Sequence, residues 1–185
     1  MRKLAQQLGA GAMSLYYHVA NKDELLDAMV DVVYSEIDPP PSEAGWKQAL
    51  RRVVISTRDA LARHRWAIPL MESRRRPGPA NLRHHDAVLG RLREAGFSIE
   101  GAVHAYSALD SYVHGFALQE QTLPFETPEE VVEIGEAMLQ QLPADEYPHL
   151  AETIVEFMRS GYKFANEFEV GLELVLDGLG RLRAT

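Results

Sequence analysis

Arg2-Lys3-Leu4-Ala5-Gln6-Gln7-Leu8-Gly9, followed by Ser14-Leu15-Tyr16-Tyr17-His18-Val19, is the stretch on which the reading of this 185-residue chain turns. Leu4, Ala5 and Leu8 share one face of a short helix, and Gly9 can close it because glycine enters the left-handed region without steric cost. A second short helix over Ser14 to Val19 points Leu15 and Val19 inward at i, i+4. A helix-turn-helix needs a small residue where its helices approach, a turn that admits glycine, and an apolar anchor on the second helix. Ala5, Gly9 and Leu15 occupy those places in order. The outward Ser14, Tyr16, Tyr17 and His18 then present hydroxyl, phenol and imidazole groups suited to phosphates and base edges.

In the rest of the chain nearly every segment keeps helical spacing, and no run alternates apolar and polar as a half-buried strand would. The fold expected is all-α, a helix-turn-helix head followed by a helical effector-binding and dimerisation domain. Asn21 with Glu24 starts a helix whose face is Leu25, Leu26, Met29, Val32, Val33 and Ile37, and Pro39-Pro40-Pro41 stops it at Asp38. The domains expected are residues 1–38, the head with its connecting helix, and residues 45–185. Trp46, Leu50, Val53, Thr57 and Leu61 mark the next helix face, and Leu82, His85, Leu89 and Leu92 another before Gly96. Ser73 to Pro79 reads as a basic loop between them. Ser98 can cap a long apolar helix to about Gln121, and Thr127-Pro128-Glu129-Glu130 forms a capping box for an acidic helix to about Gln140. Leu150, Ile154, Phe157 and Met158 mark one more helix, and Phe168, Leu172, Val175, Leu176, Leu179 and Leu182 the last.

The formal net charge is −8, yet residues 1–22 hold Arg2, Lys3 and Lys22 and none of the 27 acidic residues, which leaves the rest at −11. Any contact with phosphate falls to the amino-terminal end. Absence of cysteine excludes disulfides, thiolate metal sites and a cysteine nucleophile, and fits a reducing cytoplasm. The longest uncharged stretch, Leu4 to Asn21, is too polar to span a bilayer or to serve as an export signal, so no membrane partner is expected.

His84 with His85, and Asp110 with His114 at i, i+4, have spacings that can hold a metal, and Glu146-x-x-His149 matches half of a helical di-iron motif. The di-iron motif needs two copies and two more glutamates, and Pro148 spoils the shared helix. There is no glycine-rich phosphate loop and no nucleophile elbow. The expectation is no enzyme, no catalytic residue, no metal site and no cofactor.

The helix-turn-helix residues, continued by Asn21-Lys22 and Glu24-Leu25-Leu26, closely resemble the TetR family of bacterial one-component repressors. The resemblance runs on through Gly96-Phe97-Ser98, Ser107-Ala108, Gly115 and Leu118 to Gly171-Leu172-Glu173, similar to the carboxy-terminal domain of the tetracycline-repressor branch. It implies a homodimer that binds a palindromic double-stranded operator and is released when a small molecule changes the spacing of its two heads. Carried over by position, base reading falls to Arg2, Ala12 and Met13, and phosphate contact to Ser14, Tyr16, Tyr17, His18 and Lys22. Ala12 stands where the tetracycline repressor has glutamine, and an alanine reads only a thymine methyl.

Family members carry a further helix ahead of this point. The resemblance therefore implies a head with Leu4, Leu8 and Leu15 partly exposed, at a cost of about 25 cal/mol per Å² of wet apolar surface. The alternative expectation is an effector-binding dimer that does not bind DNA by itself. The family's polar anchors for tetracycline and its magnesium ion fall here on Asp38, Val53, Val88 and Met71 or Glu72, which implies a more apolar, metal-free effector. The cavity walls expected are Val53, Thr57, Trp66, Met71, Val88, Val103 and Tyr106, with Phe116 a further candidate. Arg74, Arg75 and Arg76 could grip an anion, though they read most simply as a solvated loop.

Overall fold

The computed structural model describes residues 1–183, apart from the side chain of Ala12, and all regular structure in them is helical. Helix α1 (Arg2–Gln7) ends in Gly9 at φ 65°, and α2 (Ala12–His18) follows it as the turn chemistry requires. In α3 (Lys22–Ser35), Asn21 Oδ1 accepts the Glu24 N–H at 2.9 Å and the Glu24 carboxylate accepts the Ala20 N–H at 2.6 Å. The helix ends at Ser35, short of the expected Asp38, because Glu36 and Ile37 donate to Val33 and Tyr34 in a tightening last turn that drives Ile37 into the core. Its inner face is Val30, Val33 and Tyr34, while Val32 is exposed.

The body is built from α4 (Trp46–Arg63), α5 (Ala67–Ser73), α6 (Pro79–Glu94), α7 (Ile99–Thr122) and α10 (Glu167–Leu179). Helix α7 packs against α4, α6 and α10, which is why so apolar a helix is stable. Leu50, Leu61, Leu92, Phe97, Phe168, Leu172 and Leu176 are fully buried around it. Each such side chain contributes about 1.5–3 kcal/mol. Ser98 Oγ accepts the Gly101 N–H at 3.0 Å and starts α7 where expected. Helix α5 differs from expectation: it takes up Ser73 and leaves only residues 74–78 as the basic loop.

Helix α8 (Pro128–Gln141), opened by the full Thr127–Glu130 capping box, and α9 (Pro148–Ser160), closed by Gly161 at φ 66°, pack on one another. The carboxy-terminal helix is riveted to α4 by ion pairs: Arg51 reaches Glu169 and Glu173 at 2.7 Å each, and Lys47 reaches Asp177 at 2.5 Å. Arg58 pairs with Glu120 and lies over the rings of Phe116 and Phe168. Among the described residues no helix is long and apolar enough to cross a membrane.

Candidate functional site

At the head, α1 and α2 pack through buried Ala5 and half-buried Leu4, Leu15 and Val19. Leu8 is exposed. The opposite surface carries Arg2, Ser14, Tyr16, His18 and Lys22, with Met13 80% and Tyr17 88% exposed. All of these residues are thus accessible to solvent, while the side chain of Ala12 lies outside the described residues. Tyr17 and His18 meet edge to face at 5.5 Å.

Within the body, α3, α4, α5, α6 and α7 enclose a narrow cavity of about 30 Å³. Val53, Thr57, Met71, Val88 and Tyr106 line it. The hydroxyl of Thr57 donates to the Val53 carbonyl at 2.8 Å, so its proton is already committed. An outer cleft of about 430 Å³ adjoins the cavity and shares Tyr34, Met71, Asp110 and His114 with it.

Two expected wall residues lie elsewhere. Trp66 precedes α5, whose first turn buries Ala67 and Ile68, so the indole swings out to 41% exposure and packs against His64. Val103 lies one turn from Ile99 on the outer stripe of α7, away from the buried Ala102 and Ala105. Phe116 is core, stacked on Phe164 at 4.6 Å and edge-on to Phe168 at 5.0 Å.

The polar residues at the neck of the cavity form one network. His85 Nδ1 faces the Asn81 carbonyl at 3.0 Å and therefore carries the proton, which leaves Nε2 to accept the Tyr106 hydroxyl at 2.8 Å. Burial pushes the phenols of Tyr34 and Tyr106 up, reinforced by the Asp110 charge, so both stay protonated. Burial and the neighbouring His85 push His84 down to about 4, and it is neutral. Burial opposes charge on Asp110 and His114 too, but their mutual contact prevails, holding the carboxyl below its ordinary range and the imidazole above.

The cavity is mechanically joined to the head. Arg74, one residue past α5, reaches Asp23 at 3.1 Å and Asp27 at 3.5 Å on α3. Asp31 on α3 accepts the N–H groups of Ala80 and Asn81, both at 2.9 Å, at the start of α6. Sequence reasoning missed Tyr34, Asp31, the contact of Glu72 with His114 and this use of Arg74. An i, i+4 step from Val30 could have found Tyr34, whereas the other contacts cross between helices and leave no periodic trace.

Residues 38–183 match the family described as tetracyclin repressor-like, C-terminal domain. The repressor DrrR1 of Streptomyces coeruleorubidus is 32% identical over 97% of this chain and 68% of its own length. The class A tetracycline repressor from transposon 1721 of Escherichia coli is 32% identical over 98% of this chain and 81% of its own. The fold is similar to that of ActR, a TetR family protein of Streptomyces coelicolor solved in complex with actinorhodin. The TM-score is 0.80 at 29% identity, covering 100% of this chain and 88% of that one. With a head of matching chemistry and a body matched along most of its length, this chain belongs to the TetR family of transcriptional regulators.

Proposed function

We propose that the chain is a ligand-responsive transcriptional repressor that binds a palindromic operator as a homodimer and is released by a small, largely apolar effector. The observation that carries this reading is the double attachment of α3, which leads into the head, to the two elements that wall the cavity: Arg74 ties it to α5 and Asp31 ties it to α6. The similarity to DrrR1, named as a repressor, and to ActR, solved with a bound small molecule, supports it.

A cavity of about 30 Å³ holds a water or two, whereas ligand pockets occupy about 300–1,000 Å³. An effector that enters this inner cavity must therefore part α5 from α6 and α7. Met71, flexible and unbranched, stands where the outer cleft narrows and is suited to yield. Displacing α5 or α6 strains the contacts of Arg74 and Asp31 and moves α3, which shifts the reading head. Val53, Thr57, Met71, Val88 and Tyr106 are assigned to the effector. Base edges are assigned to Arg2, Ala12 and Met13, and phosphates to Ser14, Tyr16, Tyr17, His18 and Lys22.

Ile99 and Val103 on α7 and Val170 and Leu174 on α10 are exposed apolar side chains and are assigned to the second protomer. Val103 belongs with them and not with the cavity. The role is regulatory, not enzymatic, and places the protein in the cytoplasm with its operator. A gel shift and footprint on the upstream intergenic DNA test the reading. The expected result is a protected palindrome whose affinity falls with salt, and binding no tighter than to unrelated DNA at low salt sinks it.

A further inference from the structure

Glu72 on α5 and Asp110 and His114 on α7 meet where the outer cleft narrows. His114 Nδ1 lies 3.1 Å from Glu72 Oε1 and 3.4 Å from Asp110 Oδ2, and the three donor atoms fall within 4.8 Å of one another. His114 is nine-tenths buried, yet neither of its ring nitrogens has a hydrogen-bond partner. Both oxygens thus stand beside Nδ1 but off the line along which an N–H would point. A proton on Nδ1 is flanked by the two carboxylates but has no acceptor in line with it.

A cation on the lone-pair axis of Nδ1 accounts for the two carboxylate oxygens that stand beside that nitrogen. Nitrogen and oxygen ligands about 2.0–2.2 Å from a metal, separated by angles of about 90–110°, stand about 3.0–3.4 Å apart and flank that axis. We infer that Glu72, Asp110 and His114 form a binding site for a divalent transition-metal cation that joins α5 to α7 at the neck of the cavity. A neutral imidazole and two carboxylates balance its charge and suit Zn²⁺, Co²⁺ or Mn²⁺. The Arg74 guanidinium in the same cleft is drawn toward α3 by Asp23 and Asp27.

The inference replaces the expectation of no metal site. Asp110 and His114 show in the sequence as an i, i+4 pair, but their third partner comes from a different helix. It stands independently of operator binding, since uptake is measured on the protein alone. The metal-stripped full chain is titrated calorimetrically with Zn²⁺, and in parallel with Co²⁺ by its visible absorption. One ion per chain is expected, weakened on the order of tenfold or more by Glu72→Gln and by Asp110→Asn. His104→Gln, which breaks the exposed His104–Glu100 pair, is expected to leave uptake unchanged. Glu72 has a largely exposed side chain, so Glu72→Gln folds and keeps the test decisive. No stoichiometric uptake, or uptake that survives both site substitutions, overturns the assignment.

Discussion

Asp31→Ala tests the joint between head and body. Helix α6 opens on Pro79, which has no N–H, and Leu82 N–H reaches the Gly78 carbonyl at 3.0 Å. That leaves Ala80 and Asn81 as the orphan donors of the first turn, and the same carboxylate oxygen of Asp31 takes both at 2.9 Å. Losing a side-chain cap costs about 0.5–2 kcal/mol, and hydrogen bonds to a charged group lie at about 1.5–3 kcal/mol, so Asp31→Ala should lose about 2–3 kcal/mol. Asp31→Asn keeps an acceptor oxygen and forfeits the charge at the helix N-terminus, for a loss of about 1 kcal/mol.

Gly78 supplies an internal check, because a Cβ there would overlap the Asp31 carboxyl group. Gly78→Ala should therefore expel the cap and cost about 1–2 kcal/mol, where an ordinary N-cap change from glycine to alanine costs less. Once Asp31 is alanine, the added methyl has little left to displace, so the double variant should cost clearly less than the sum of the two single ones. Urea unfolding followed by circular dichroism, at one fixed protein concentration, reads the parent and all four variants. An Asp31→Ala loss under about 0.5 kcal/mol, or strict additivity with Gly78→Ala, refutes the cap.

Leu174→Lys, at a side chain 71% exposed on α10, should leave the fold intact and convert the dimer to monomer in sedimentation at micromolar concentration. His84 is held near 4 in the folded chain against about 6.5 when unfolded, so stability is full above pH 6.5 and falls as pH drops toward 4. That loss approaches about 3 kcal/mol, His84→Gln should remove it, and equal acid sensitivity in parent and variant would count against a buried neutral imidazole. Arg2→Ala should cost about 1–3 kcal/mol of operator binding and relax one base position. Lys22→Ala should weaken all DNA alike and lower the salt slope by about one, and a sequence-selective loss there would reverse the two assignments.

The residues that build single helices were legible and those that join helices were not, and the difference is physical. Asn21, Ser98 and Thr127 cap helices within three residues of themselves, so a local pattern carries the whole interaction and the structure bears each one out. Gly9 declares its turn through backbone freedom that needs no partner. The start of α6 shows the opposite case. Gly78-Pro79 offers no side-chain cap, and the group that serves is Asp31, supplied from another helix. The cavity divides the same way: Val53 and Val88 show as apolar positions of their own helices, but Glu72 reaches His114 only after α5 is laid against α7. Trp66 and Val103 failed as wall residues because helical spacing tells which side chains share a stripe and not which stripe faces inward. In a TetR-type chain the cost of that limit is concentrated where it matters most. In the proposed mechanism effector and operator are coupled through Arg74 and Asp31, side chains that bridge from one helix to the next, so that joint is the part of the molecule least written into any single stretch of sequence.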